Sequence, residues 1–154
     1  MTESMSFRKH FHEIANKLQG IAVNSRGFAY IYGDAGMINE NTINELSKVM
    51  SSVEAYYKKT VVCVGDLNDK LRPTPAFPDW RETERKIQDE LCEIRDLIIT
   101  VRKIESSVRA ETVQKITSAA KELNKLQGKC ETVTGILSDF KTRLVALGIY
   151  DDIA

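Results

Sequence analysis

Apolar side chains recur every three or four residues along most of this chain, and that alternation sets the reading of its fold. Near the start the apolar positions are Phe7, Phe11, Ile14, Leu18 and Ile21, stepping by 4, 3, 4 and 3. Such spacing lines one face of an α-helix and predicts a first helix over about 4–22, capped by Ser4 or Ser6. A second series runs Ile43, Leu46, Met50, Val53, Tyr57, Thr60, Val64, Leu67 and Leu71. It keeps the same alternation for four heptads and predicts a helix over 42–71. Asn41 or Thr42 caps this helix, and Glu45, three residues after Thr42, completes a capping box. Gly65, inside it, reads as a place where a neighbouring helix can approach closely.

A third series, Ile87, Leu91, Ile94, Ile98 and Val101, with Ile104 and Val108 beyond, predicts a helix over 79–105 with Asp79 as its cap. The last is Val113, Ile116, Ala120, Leu123, Leu126, Cys130, Val133, Leu137, Phe140, Leu144 and Leu147, giving a helix over 107–147 that Gly148 ends. Within it the step from Leu123 to Leu126 follows another step of three, a slip expected to overwind the seam locally.

Three stretches interrupt the pattern. Residues 23–40 hold Gly27, Gly33 and Gly36 with the aromatic cluster Phe28, Tyr30 and Tyr32, and read as an irregular loop, within which residues 28–32 are compatible with either a short strand or a helical turn. Residues 72–78 contain all three prolines, Pro73, Pro75 and Pro78, and form a turn that joins antiparallel neighbours. Residues 149–154 form an acidic C-terminal tail expected to fray.

The fold expected is all-α: one helical domain over 1–154, an antiparallel bundle of about four long heptad-patterned helices. The alternative is an elongated, dimeric coiled coil in which residues 79–147 form one continuous helix, roughly 100 Å long at 1.5 Å per residue. The Ser106-Ser107 pair separates the two, because serine only weakly breaks a helix. No internal repeat is evident, which argues against a solenoid.

Composition narrows the function classes. The chain has 42% hydrophobic and 29% charged residues, an ordinary globular balance, and 22 basic residues match 22 acidic ones. That neutral total argues against a dedicated nucleic-acid binder. Cys63, Cys92 and Cys130 are odd in number and widely spaced, so they suggest neither a disulfide framework nor a zinc site. No apolar run approaches the roughly 20 residues of a membrane span, and the first residues lack the apolar core of a signal peptide. The expected location is cytoplasmic or nuclear.

Enzyme chemistry finds little to stand on. No phosphate-cradling glycine loop and no nucleophile elbow occur. His10 and His12 are two apart and do not share a helix face, so they cannot clamp a metal together. The expectation is a non-enzyme with no cofactor, no metal and no catalytic residue.

Three features are candidates for binding. Arg95, Arg102 and Arg109 are spaced by seven beside the apolar seam, where a charge chooses a partner helix. The same arginines are also placed to pair with acidic groups on a facing helix of this chain. Phe28, Tyr30 and Tyr32, with Arg26, are residue types enriched at interface hot spots, unless they fold down to plug the bundle end. Trp80 follows the proline turn and is either a fourth aromatic anchor or a cover for the end of a helical hairpin. The expected function is a protein-interaction or assembly module that binds another protein or a second copy of itself. The alternative is a subunit of a nucleoprotein complex whose arginine stripe contacts phosphates.

Overall fold

A computed structural model describes residues 6–33, 41–106 and 112–150. These residues form four helices, α1 (Phe7–Tyr32), α2 (Thr42–Leu71), α3 (Phe77–Ser106) and α4 (Thr112–Ala146), with no strand among them. The helices pack as a closed four-helix bundle in the order α1, α2, α3, α4, and α4 returns to α1. Every neighbouring pair is antiparallel. Across the α1–α2 seam Phe7 meets Lys70, and Gly20 meets Tyr56. Across the α2–α3 seam the Trp80 indole N–H donates to Asn68 Oδ1 at 3.0 Å, and Arg102 reaches Glu54. Across the α3–α4 seam Arg143 meets Asp79 at 3.1 Å, and Lys129 meets Glu93 at 2.6 Å. The continuous 79–147 rod is therefore not the structure, because α3 and α4 lie side by side and cover one another's apolar faces. Residues 107–111, where the chain passes from one to the other, lie outside the described residues.

The predicted seams are the core. In α2, Leu46, Met50, Val53, Thr60, Val64, Leu67 and Leu71 are buried; in α3, Ile87, Leu91, Ile94, Ile98 and Val101 are. Burying this many aliphatic side chains, at about 1.5–3 kcal/mol each, is what holds helices of modest intrinsic propensity together. Thr60 tolerates the core because its hydroxyl donates to the Tyr56 carbonyl at 2.8 Å.

Several boundaries differ from the sequence reading. Helix α1 does not stop near residue 22 but runs on to Tyr32, so residues 23–32 are helix rather than loop. The alternation in fact continues, Ile21, Ser25, Phe28, Tyr32, with a buried serine as its polar member. Gly27 sits on the outer face, and its helix cost of about 1 kcal/mol is smaller than the gain from burying Phe28. Residues 34–40 lie outside the described residues.

Ser6 caps α1 by accepting from the Lys9 N–H at 3.2 Å. Asn41 occupies the cap position of α2 without a side-chain cap bond, and Thr42 is the first helical residue, so the capping box does not form. Helix α3 begins at Phe77, two residues before the expected cap Asp79, which instead lies in the first turn. Pro78 is compatible with this start, since the first-turn N–H groups have no partner within the helix.

The buried series of α4 can also be followed without the expected slip. Ala119 is buried beside Ala120, and Ile116, Ala119, Leu123, Leu126, Cys130, Val133, Leu137, Phe140 and Leu144 alternate steps of 3 and 4 without a break. Leu147 lies beyond the seam, 45% exposed. Gly148, at φ +73°, ends the helix as expected: its N–H donates to Val145 O at 3.0 Å and the Ile149 N–H to Leu144 O at 3.2 Å. This pair of bonds is a Schellman motif, which needs a left-handed residue at that position. Of the tail expected to fray, Ile149 and Tyr150 instead pack back onto the bundle. Tyr150 is buried against Phe11, and its carbonyl accepts from the Arg8 N–H at 3.1 Å. Residues 151–154 lie outside the described residues.

Gly65 is not a close-approach site, since nothing lies within 4 Å of where its β-carbon would be. Gly20 is one: a β-carbon there would fall 2.7 Å from three ring carbons of Tyr56.

Candidate functional site

The closed bundle satisfies its own seams, so binding chemistry has to be sought on the outside. Of the residues singled out by sequence, the arginine stripe is partly committed to the fold. The Arg102 guanidinium is half-buried, with Nε against Glu54 Oε1 on α2 and Nη1 2.7 Å from Glu105 Oε2 on its own helix. The bond to Glu54 holds its proton more tightly than usual. Arg95 is exposed and pairs with the adjacent Asp96 at 3.7 Å. Arg109 lies outside the described residues. For Arg102, pairing with a facing helix of the same chain is the arrangement found.

The aromatic candidates separate. Phe28 is 3% exposed and belongs to the core, and Tyr32 is half-buried against it with ring centroids 4.6 Å apart. Trp80 is fully buried and packs on Phe140 at 5.1 Å. Its indole edge is satisfied by Asn68, as a buried tryptophan requires. Phe28 and Trp80 are therefore core side chains with little surface to offer. Tyr30 is the exception: it projects from α1 with 89% of its surface exposed.

Tyr30 stands beside a groove that the sequence reading missed. The seam between α1 and α4 carries two grooves, one towards each end of the bundle. The larger, about 860 Å³, lies between the C-terminal half of α1 and the N-terminal half of α4. Arg26, Tyr30, Lys121, Gln114, Asn124 and Gln127 line it, with the small side chains of Ala29 and Ala120 leaving room. The other, about 560 Å³, is lined by Arg8, Lys9, His12, Thr134, Ser138 and Lys141, with Tyr150 at its edge. Arg8 and Lys141 stack over the Tyr150 ring at 4.9 and 5.1 Å from its centroid.

Among the described residues no Asp or Glu lines either groove. Among the described residues no ion pair engages Arg26 or Lys121. Helices α1 and α4 together carry ten Lys or Arg against four Asp or Glu, whereas α2 and α3 carry ten against twelve. The neutral chain is thus electrically lopsided, with its cationic excess on the α1–α4 pair. Glu131, on α4 between the grooves, is held by the Gln127 amide at 2.9 Å.

The remaining titratable groups are explained by packing. Burial and the nearby Lys70 ammonium lower the His10 pKa, and Asp66 partly opposes them. Burial pushes the Cys130 thiol up to about 12 and raises Cys63 and Tyr57 as well. Among the described residues no group of three His, Cys, Asp or Glu side chains is placed to hold a metal ion, and no helix is long and apolar enough to cross a membrane.

Compared with known proteins, the chain matches no family model, no curated protein and no solved structure. The function is therefore argued from the geometry alone. The groove could have been suspected from charge: assigning each Lys and Arg to its helix shows the excess, but only the packing order shows that α1 and α4 are neighbours.

Proposed function

We propose that this protein is a non-enzymatic interaction module that binds another protein through the α1–α4 face. The observation that carries the reading is the pair of grooves on that seam, lined by cations, amides, hydroxyls and apolar side chains with no carboxylate among the described residues, and flanked by the projecting ring of Tyr30. Tyrosine and arginine supply large contact area together with a polar tip, which is why they dominate interface energetics. Arg26 and Lys121, which no ion pair engages among the described residues, set the charge of the partner and speed its encounter. The arginines of α3 are less suited to this role, because Arg102 already has two carboxylates.

The test is site-specific photo-crosslinking in cells that make the protein. A photoreactive residue at position 30 is expected to give a discrete adduct, and one at Lys59, exposed on α2, is expected to give none. Equal labelling from both positions, or none from position 30, defeats the reading.

A further inference from the structure

We infer that the partner segment is an acidic α-helix lying lengthwise along the α1–α4 seam, with carboxylates near both its ends; this rests on the interaction reading above. Three observations lead there. First, both grooves lie on the seam between the same two antiparallel helices, so a rod-shaped ligand along that seam meets both. His12 and Arg26, one in each groove, are separated by about 20 Å along α1 at 1.5 Å per residue, which is about four turns of a ligand helix.

Second, the charge is sparse and grouped. The larger groove has two cations, Arg26 and Lys121, among three side-chain amides and an exposed tyrosine, and the smaller has Arg8, Lys9 and Lys141, of which Arg8 and Lys141 already stack on Tyr150. A nucleic-acid backbone presents a negative charge about every 1.7 Å of duplex and rewards dense cations. Two cations among amides instead match one or two carboxylates and the polar side chains of a peptide. The arginine fork accepts a carboxylate in bidentate fashion, and the amides both donate and accept.

Third, Ala29 and Ala120 open the trough where a ligand backbone would sit, so a third helix can approach without displacing the core side chains beneath. Helix-in-groove recognition of this kind uses side chains every three or four residues along the ligand. Tyr30 then closes over the ligand's flank.

The experiment measures fluorescence anisotropy of the full chain with a labelled helical peptide of about 20 glutamate, alanine and leucine residues, long enough to hold helix in water. A lysine-for-glutamate version and an oligothymidylate of about 20 nucleotides serve as competitors in kind. The acidic peptide is expected to bind saturably and the basic one not. Arg26→Glu with Lys121→Glu is expected to weaken binding at least about tenfold, while Arg95→Glu leaves it unchanged and circular dichroism shows every variant folded. No saturable binding of the acidic peptide, or binding that the groove reversal leaves intact, overturns the inference. So does oligothymidylate binding of equal strength with a steep salt slope, which would make the face a phosphate reader. A crosslink from position 30 together with failure of the peptide removes only the acidic-helix chemistry. Absence of both removes the interaction face itself.

Discussion

The Tyr56 ring covers Gly20 so closely that a β-carbon on residue 20 would stand 2.7 Å from three of its ring carbons. The absence of a side chain at one position of α1 is thus what seats an aromatic ring from α2. Replacing Gly20 by Ala has two opposed effects. The helix gains about 1 kcal/mol in propensity, and the displaced ring costs about 1–3 kcal/mol as overpacking does. Gly20→Ala is expected to lower stability in urea denaturation, and to raise it in a Tyr56→Ala background, where the ring is gone. Equal effects in both backgrounds would mean that the ring relaxes freely.

Arg102 links α2 to α3 through Glu54 and also holds Glu105. Arg102→Glu would set three carboxylates together at the loosest of the four seams. A loss of about 1–2 kcal/mol is expected, given that partly exposed pairs are worth about 1 kcal/mol or less and the reversal adds repulsion. Salt should recover part of it. Arg95→Glu, on an exposed side chain beside Asp96, should change the unfolding midpoint little. Equal costs for the two variants would show that Arg102 contributes nothing special to the seam.

His10 gives the bundle a pH dependence of defined sign. Burial and Lys70 lower its pKa in the folded state, so the folded protein binds the proton less readily than the unfolded chain does. Its contribution is fully present above the ordinary histidine value of about 6.5 and declines as pH falls below it, until the folded state is protonated too. The urea midpoint should therefore fall between about pH 7 and pH 5.5. His10→Gln should flatten that slope, whereas His12→Gln, on an exposed side chain, should retain it. A midpoint that rises on acidification would contradict the burial argument.

The three thiols should react in order of access. Cys92 is exposed, Cys63 half-buried and Cys130 buried with its thiol held up to about 12. An aromatic disulfide reagent at mildly alkaline pH should titrate Cys92 first and Cys130 only after unfolding, since the thiolate is the reactive form. Rapid loss of all three thiols from the native protein would show that the α3–α4 region opens readily.

The four helices were legible because burial repeats along one helix face every three to four residues, whatever lies opposite. Met50, Val64, Leu91 and Cys130 could be assigned to the core without knowing their neighbours. Two readings failed for local reasons. Ser25 interrupted the apolar count in α1, so the helix seemed to end before Phe28. Ala119 was passed over, although it is buried beside Ala120, which the pattern did place in the core. In both cases a small side chain carried too little hydrophobic weight to mark its place, although its position on the helix was right.

What the sequence by itself determined is the helical period of each segment and therefore which face each helix buries. The tertiary structure alone decided which helices became neighbours. Period fixes the face of one helix, but the pairing depends on how four faces close at once. That closure tied Arg102 to Glu54, seated Trp80 against Phe140 and folded Tyr150 back onto Phe11. It also set α1 beside α4, bringing Arg26 and Lys121, far apart in the chain, to the walls of one groove.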